Sequence, residues 1–384
     1  MKVMNPRLVM RAKRLDRYWR VLPTLHILKP PPIIRMGEEL REILVVDLHL
    51  VGDMIMLVPL LESVRRCYPR ARISLLAGAW AQDVLEGSNL VDRFITYVAP
   101  WTKPVGRRAA IKGFVRIAAT LRKTDWDIGV DVRGDVRQIL LVYLAGCRRR
   151  IGFSFTGGSA LLTDVVEDSG ELGHVLDHHE RLAAKLDAFD GTPFRPSLRL
   201  TRSERDRAQT VTPFIGFHFG ASLPLRQLPI DEAANLVSSY QSNALRLVLF
   251  CAPDLEVYIA ELLGRLPAAV AARVEVWRGS LREFIVETSR AALMITMDSG
   301  PAHIASALGR RTLVVFGPNL PAYTGPRGQH VSFIERADIP CRPCDQRHCV
   351  NVVRQACLLG LSSAIKSAAD ILLSEPDREA DVSN

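Results

Sequence analysis

The chain has 384 residues, of which 48% are hydrophobic and 24% are charged. These fractions are ordinary for a globular protein with a sizeable core, and they exclude a wholly disordered chain, a collagen and a small disulfide scaffold. The length suggests two domains. The formal net charge is +9, and the positions of the charged residues decide what that value means.

Most of the excess positive charge lies before residue 37. Residues 1–36 contain nine Lys and Arg and one acidic residue, so this segment carries +8. The other 348 residues carry 41 basic and 40 acidic side chains, which gives a net charge of +1. A nucleic-acid-binding domain usually spreads its basic residues over the folded part, so the sequence predicts no nucleic-acid partner.

The sequence predicts a cytoplasmic protein. No apolar run reaches the roughly 18–20 residues that cross a bilayer, and the N-terminus lacks the apolar core of a secretory signal. Seven cysteines in a long chain favour reduced thiols over a disulfide framework.

Residues 6–22 predict a helix with two contrasting faces. Apolar side chains recur on one narrow face and cations lie opposite, a pattern that suits an anionic membrane surface. This contact would make the protein peripheral on the inner face of the inner membrane. A helix that packs on the globular body and keeps its charges in water is the alternative. Three prolines at 30–32 then stiffen a linker.

Short β-branched strands alternate with helices through the first half of the chain. The pattern predicts strands at 43–47, 73–77, 94–98 and 128–132, and helices at 55–67, 80–86 and 109–123. Such alternation indicates right-handed βαβ units and a parallel sheet that helices cover.

A looser stretch at 190–213, rich in proline and charge, predicts a domain boundary. The second alternation has predicted strands at 214–218, 246–251, 274–277, 293–296 and 312–316, with helices at 255–266, 281–291 and 302–308. The predicted fold class is therefore α/β with two parallel-sheet domains. Their predicted bounds are 37–205 and 206–374, after the basic extension at 1–36 and before a disordered acidic tail at 375–384.

The sharpest local signal runs from Asp298 to His303, with the sequence DSGPAH after an apolar strand and at the start of a helix. The first amides of a helix lack internal partners and form an anion site. Gly300 lets a phosphate approach closely, and His303 lies one turn in, where its ring can donate to a phosphate. An ordinary helix capped by Asp298 or Ser299, with a buried histidine, is the alternative.

Two further turns follow the first strand of each half. The first contains Asp53, whose carboxylate can act as a general base or simply cap the helix. In the second, Gly220 and Ser222 can admit a phosphate that Arg226 neutralises, or the segment is a surface loop.

Together these segments resemble the bacterial glycosyltransferases of family 9, the heptosyltransferase type, over residues 42–365. The family's Gly-Asp turn matches Gly52 and Asp53, and its late Asp-(Ser/Thr)-Gly-x-x-His motif matches 298–303. The resemblance implies a GT-B fold, in which two Rossmann-like domains face a central cleft. It also implies an inverting, metal-independent enzyme, without a cofactor, that moves heptose from ADP-heptose to the lipopolysaccharide inner core.

The resemblance also assigns roles to residues. Asp53 matches the catalytic base that deprotonates the acceptor hydroxyl. Arg226 is the second predicted catalytic residue; it falls where the family has a Lys, and it can grip the leaving phosphate. The predicted donor-binding residues are Gly220, Ser222, Arg226, Glu256 (or Asp254), Asp298, Ser299, Gly300 and His303.

One segment departs from the family pattern. The family's Lys-x-Trp-Pro reads Arg-Gln-Leu-Pro at 226–229, which keeps a cation of different geometry and loses the tryptophan. Two alternatives therefore stay open. One is a GT-B enzyme that uses another nucleotide sugar or a protein acceptor, and the other is a catalytically idle, membrane-associated scaffold.

Cysteines and histidines outside these motifs carry two further expectations. Four cysteines within 17 residues could hold tetrahedral Zn²⁺, but the second pair is too widely spaced for a standard ribbon. Packed reduced thiols or a disulfide are the alternatives, and no metal site is predicted. His178 and His179 are expected to lie in solvent rather than to face an acceptor. The four cysteines are Cys341, Cys344, Cys349 and Cys357.

Overall fold

The computed structural model describes residues 38–102, 105–167, 173–208, 212–344 and 346–375. The predicted helix at 6–22 and the acidic tail from residue 376 lie outside these ranges.

The chain divides into two compact units, the first ending at Phe194 and the second beginning at Arg195. The sequence analysis placed this division eleven residues later, at 205/206. Residues 195–208 belong to the second unit because they bond to it. The Leu198 amide donates to the Ala307 carbonyl at 2.9 Å, and Glu204 forms a buried ion pair with Arg282 at 2.5 Å.

The first unit is a parallel sheet with helices. Its strands are β1 (Glu42–Val46), β2 (Arg72–Ala77), β3 (Arg93–Thr96), β4 (Ile128–Asp131), β5 (Arg149–Gly152) and β6 (Asp164–Val165). Its helices are α1 (Val51–Cys67), α2 (Trp80–Leu85), α3 (Arg107–Leu121), α4 (Val136–Ala145) and α5 (Val175–Lys185). The strand order is β3-β2-β1-β4-β5-β6.

The second unit repeats this plan. Its strands are β7 (Phe214–His218), β8 (Arg246–Phe250), β9 (Val274–Trp277), β10 (Ala291–Met297), β11 (Thr312–Phe316) and β12 (Val331–Glu335). Its helices are α6 (Arg202–Ala208), α7 (Ile230–Ser238), α8 (Glu256–Arg265), α9 (Ala268–Ala271), α10 (Leu281–Thr288), α11 (Gly300–Ala307), α12 (Pro321–Thr324) and α13 (Ser362–Ser374). The strand order β12-β11-β10-β7-β8-β9 is the order of the first sheet read from the other side.

Apolar strands form the core of each unit because helices cover both faces of a parallel sheet. β1 and β11 are almost wholly buried, as their continuous runs of Val, Leu and Ile predict. The predicted bounds of β7, β9 and β11 agree with the structure, and the other predicted strands and helices shift by a few residues at their ends. The sequence analysis did not predict the strands β5, β6 and β12 or the helices α4, α5, α6, α7, α9, α12 and α13.

One segment in the described part of the chain, Ala356–Ser374, is long and apolar enough to cross a membrane by length and composition. A core helix passes the same test. In the fold, this segment contains α13, which packs on β10, β11 and α7 and buries Ile365, Ala369 and Leu372. Its apolar character is therefore accounted for by packing in the second unit.

Candidate active site

In each sheet the strand order reverses between two neighbouring parallel strands. β1 pairs with β4 in the first unit, and β7 pairs with β10 in the second. Ligands of such sheets bind at the carboxyl ends of the strands at this switch point. The predicted site residues Asp53 and Asp298 both follow switch-point strands, one in each unit.

Asp53 lies in the first turn of α1, just after the carboxyl end of β1. One carboxylate oxygen accepts a hydrogen bond from the Leu50 amide at 3.2 Å. Leu50 is the N-cap residue, so Asp53 bonds back to it from the third helical position and is not the N-cap residue that the sequence allowed. The other oxygen lies 3.0 Å from Nη1 of Arg133, which follows β4. The structure thus makes Asp53 both a helix-capping residue and half of an ion pair.

The electrostatics around this pair favour charge on both partners. Burial alone would raise the pKa of Asp53, but the charges of Arg133 and His49 outweigh it and hold that pKa well below its usual range. Burial opposes the charge on Arg133, yet Asp53, Asp47 and Asp131 together raise the pKa of the guanidinium. Asp53 is therefore a carboxylate at every pH of enzymatic interest.

Arg133 also anchors a wider acidic group that the sequence analysis did not assign to the site. Asp47 directly follows β1, Asp131 is the last residue of the neighbouring strand β4, and both are buried. Burial, and then the nearby Asp135, raise the pKa of Asp131 well above its ordinary value. The sequence signal was present, since an acid ends or follows each of these apolar strands, but only the pairing of β1 with β4 brings the two acids together.

A short polar network continues from this group. The ring Nδ1 of His49 lies 3.1 Å from Oδ1 of Asp47 and 3.3 Å from Nε2 of Gln138. Gln138 Oε1 also accepts a hydrogen bond from the Leu48 amide at 3.3 Å. These contacts fix the loop that carries the chain from β1 to Asp53.

The expectation that His178 and His179 lie in solvent is wrong. His178 is 8% exposed, and His179 is fully buried with Nδ1 3.0 Å from the carbonyl oxygen of Met56. They are buried because α5 packs against α1, a contact between elements far apart in the sequence. Burial lowers the pKa of His179 to about 4, so its ring is neutral at physiological pH.

In the second unit, Arg226 and Asp298 connect two motifs that are 72 residues apart in the sequence. Arg226 Nη2 lies 2.7 Å from Oδ2 of Asp298 and also donates to the Asp298 carbonyl. Asn319, which the sequence analysis missed, donates to the same carboxylate at 3.1 Å. Within the described residues, Arg226 Nε and Asn319 Oδ1 are buried without a hydrogen-bond partner.

The N-terminus of α11 has the geometry of an anion site. Ser299 is the N-cap residue, and its side chain makes no capping bond; its hydroxyl donates instead to the Met297 carbonyl at 3.3 Å. Pro301 occupies the first turn, where its missing amide is no loss. Gly300 is partly exposed, and His303 is buried one turn further on.

Gly220 follows β7, and the packing around it supplies a reason for glycine besides the predicted approach of a phosphate. A Cβ at this position would collide with the Leu255 side chain, and it would meet the His218 ring at 3.0 Å. Close packing therefore excludes a side chain there, and this reason is independent of any phosphate. Ser222, in the same turn, is exposed.

Glu256 begins α8, after the carboxyl end of β8. Both of its carboxylate oxygens accept hydrogen bonds from Arg278 at 2.8 Å, and these bonds lower the pKa of Glu256. Asp254, the alternative to Glu256, is exposed in the short turn before it. Both acids thus lie on the carboxyl edge that carries Gly220 and Asp298.

The four clustered cysteines line one small cavity in the second unit. The Gln355 amide donates to Cys349 Sγ at 3.4 Å, and Leu225 and Pro318 close the cavity beside the sulfurs. None of the four is in a disulfide, and the described residues contain no group of three or more His, Cys, Asp or Glu arranged to hold a metal ion. The cysteines are Cys341, Cys344, Cys349 and Cys357.

Two Rossmann-type units in one chain are the architecture of the GT-B fold. The model of glycosyltransferase family 9 (heptosyltransferase) matches residues 114–353, which is more than half of the chain. This protein belongs to that family, as the motifs at Asp53 and Asp298 predicted.

Relatives agree with this assignment, and a solved structure shares the fold. The chain is 26% identical over 302 residues to lipopolysaccharide heptosyltransferase 2 of Escherichia coli K12, covering 74% of this chain and 85% of that protein. It is 24% identical over 310 residues to lipooligosaccharide heptosyltransferase 2 of Haemophilus influenzae, with 76% and 88% covered. The structure of E. coli ADP-heptose LPS heptosyltransferase II superposes with a TM-score of 0.70 at 21% identity, covering 86% of this chain and 98% of that one.

Proposed function

We propose that this chain is an inverting, metal-independent glycosyltransferase that moves heptose from ADP-heptose to the lipopolysaccharide inner core. The observation that carries the proposal is the paired layout of the switch points. One has an uncapped helix N-terminus with an arginine held beside it, and the other has a carboxylate held ionised. The names of the relatives supply the sugar, the nucleotide and the acceptor.

The second unit suits the donor. Breaking a sugar–phosphate bond leaves negative charge on the departing diphosphate, and preorganised donors stabilise such charge most effectively. The first amides of α11 and the side chain of Arg226 supply such donors. Arg226 Nε is buried without a partner among the described residues, so it keeps a hydrogen-bond donor available for a phosphate oxygen.

The same donors support a reaction without a metal ion. A divalent cation in other sugar transferases neutralises the leaving diphosphate, and here a helix end and a guanidinium supply positive potential instead. Asp298 already pairs with Arg226 at 2.7 Å, so its charge is partly neutralised. We propose that Asp298 orients Arg226 and that His303 adds a contact to the diphosphate.

Glu256 is proposed to reach the ribose of the nucleotide. In Rossmann folds an acidic residue after the second strand accepts from the ribose hydroxyls, and Glu256 follows β8, the second strand of its sheet. Its present partner is Arg278, with both side chains about half exposed. An exposed ion pair of this kind is weak, so a ribose hydroxyl can replace the arginine at little energetic cost.

The first unit suits the acceptor, with Asp53 as the base. A carboxylate paired with Arg133 is a weak base, so early removal of a proton from a free sugar hydroxyl is unfavourable. The hydroxyl becomes strongly acidic only as its oxygen bonds to the cationic sugar carbon. We therefore propose that Asp53 takes the proton late in the attack, when even a weak base is sufficient.

We propose that the transfer is a single displacement. A single displacement, in which the acceptor oxygen attacks while the diphosphate leaves from the opposite side, inverts the anomeric carbon and needs one base and no covalent intermediate. The product's anomeric configuration, read by NMR, tests this proposal. A product that retains the donor's configuration would refute it.

The experiment that tests the whole proposal is a transfer assay with purified protein. ADP-heptose, UDP-, GDP- and CDP-sugars are each offered with truncated core lipopolysaccharide, and release of nucleoside diphosphate is measured with and without a chelator. We expect turnover with ADP-heptose only, unchanged by the chelator. Turnover with another nucleotide, or with a protein acceptor, would identify the alternative enzyme, and no turnover with any pair would favour an idle scaffold.

The proposed location is the cytoplasmic face of the inner membrane, where a lipid-linked acceptor would be met. The basic segment at 6–22 lies outside the described residues, and membrane contact through it stays a proposal that rests on its sequence pattern. Deletion of residues 1–36 should weaken binding to anionic vesicles and spare transfer to a soluble acceptor. Unchanged vesicle binding would remove this part of the proposal.

A further inference from the structure

The globular part of the chain carries its positive charge unevenly. Between residues 93 and 124 the sequence contains no Asp or Glu and eight Lys and Arg, so this segment carries +8. Residues 37–384 as a whole carry only +1. The central element of this acid-free segment is α3. The near-neutral charge of the whole globular part gives no indication of this local excess of positive charge.

The cations of α3 share their surface with large apolar side chains. Ile111 is 56% exposed and Val115 is 61% exposed. At 100° per residue the two lie about 40° apart on one side of the helix. The cations around them are all exposed, and within the described residues none pairs with a carboxylate. They are Arg107, Arg108, Lys112 and Arg116.

Another side of α3 already satisfies the packing needs of the helix. Ile117 and Leu121 are buried in a cluster with Leu141 and Val142 of α4. The exposed pair Ile111 and Val115 therefore takes no part in the core of the unit. We call this exposed side, formed by residues 107, 108, 111, 112, 115 and 116, the outer face of α3.

The outer face begins beside the candidate acceptor site. α3 follows β3, so its N-terminal end starts from the carboxyl edge of the sheet. In the loop before α3, Trp101 stacks against the guanidinium of Arg137, which lies 4.0 Å from the ring centroid. Arg137 in turn hydrogen-bonds Asp135, two residues after Arg133.

We propose that the outer face of α3 binds the surface of an anionic lipid bilayer. The cations would contact lipid headgroups while Ile111 and Val115 enter the region between headgroups and acyl chains. Charge complementarity favours this partner because the whole segment lacks acids. A nucleic-acid backbone would use the cations and leave the apolar pair in water. The proposal goes beyond the transfer reaction, and it holds for any donor sugar.

The first test measures partition of the full chain onto vesicles that contain no acceptor. Equimolar phosphatidylglycerol and phosphatidylcholine form the anionic vesicles, and phosphatidylcholine alone forms the neutral ones. Each Lys or Arg near such a surface contributes about five-fold in binding, so R108Q/R116Q should lower the partition coefficient about 30-fold. R202Q/R205Q removes the same charge from exposed α6 and should have little effect. Residues 1–36 are intact in both variants, so their contribution cancels in the ratio.

The second test asks where the chain meets the lipid. In Ile111→Trp, brominated lipid in the anionic vesicles should quench tryptophan emission beyond the wild-type level. Ile371→Trp is the matched control, because Ile371 is 63% exposed on α13, and its quenching should equal the wild-type level. Equal quenching in the two variants would overturn the proposal. So would unchanged partition of R108Q/R116Q, or tighter binding of the wild type to duplex DNA than to anionic vesicles.

Discussion

Replacement of Asp53 gives the sharpest test of the proposed chemistry. Asp53→Asn keeps the shape of the side chain and can still accept from the Leu50 amide, but it removes the charge and the basic oxygen. A positioned general base typically contributes 10²- to 10⁴-fold to the rate. We therefore expect kcat to fall at least about 100-fold in Asp53→Asn and in Asp53→Ala, with ADP affinity within roughly three-fold of wild type.

The structure also sets the expected effect on stability. Breaking a fully buried ion pair can cost roughly 3–5 kcal/mol. The cost should be smaller here, because the Asp53 side chain is 18% exposed and Arg133 keeps Asp47, Asp131 and Asp135 nearby. We expect about 1–2 kcal/mol of lost stability for Asp53→Asn, which corresponds to a Tm decrease of roughly 2–8 °C.

The pH dependence has a definite sign. The folded-state pKa of Asp53 lies below its unfolded value of about 3.8, so its ion pair stabilises the fold fully above that pH. The contribution is lost as the pH falls through the folded-state pKa. The Tm difference between wild type and Asp53→Asn should therefore be complete at pH 7 and shrink below about pH 4.

Three measurements together decide whether this reasoning holds. Steady-state kinetics with ADP-heptose and truncated core lipopolysaccharide gives kcat, calorimetry gives ADP affinity, and differential scanning fluorimetry at several pH values gives the Tm difference. Near wild-type kcat in either variant would refute Asp53 as the base. A loss of ADP binding would instead show that the substitution had damaged the fold or the donor site.

The remaining predictions concern three other features. Arg226→Ala should weaken ADP binding about 10- to 100-fold, since bonds to charged groups contribute roughly 1.5–3 kcal/mol, with Arg226→Lys intermediate; unchanged calorimetric affinity would contradict its role. Burial lowers the pKa of His179 from 6.5 to about 4. As the pH falls from 6.5 to 4, His179 is therefore protonated in the unfolded chain but still neutral in the folded protein. The unfolding free energy should decrease by about 3 kcal/mol over that window. Denaturant titrations at several pH values measure this free energy, and its dependence on pH should be weaker in His179→Gln. The four clustered cysteines, Cys341, Cys344, Cys349 and Cys357, should react as thiols in purified protein, and a chelator should leave the Tm unchanged. Stoichiometric bound zinc would contradict this prediction.

The local parts of the site were predictable from short stretches of sequence. An apolar strand followed by DSG and a helix gives the turn at Ser299, because strand propensity, a glycine and an early proline each act over a few residues. The Gly-Asp pair in the first turn of α1 is predictable for the same reason. The roles of these residues remain proposals that only the assays above test.

The partners of those residues were not predictable from local patterns. Arg133 and Asp53 are 80 positions apart in the sequence, and they meet because β1 and β4 are neighbours in the sheet. Asn319 joins Asp298 by a similar long-range approach. His179 looked like a solvent residue because its own segment is polar, and only the packing of α5 on α1 buries it.

The distribution of charge also separates what local sequence predicts from what depends on tertiary packing. The sequence by itself determined the α/β class, the two-unit plan and the +8 of residues 1–36, since these depend on composition and on periodicities within a segment. It also contained the acid-free stretch from 93 to 124, but a net charge of +1 for the body gave no reason to notice it. Only the tertiary structure decided which side of α3 faces the core, because burial depends on partners distant in sequence, and so only it showed cations and apolar residues exposed together.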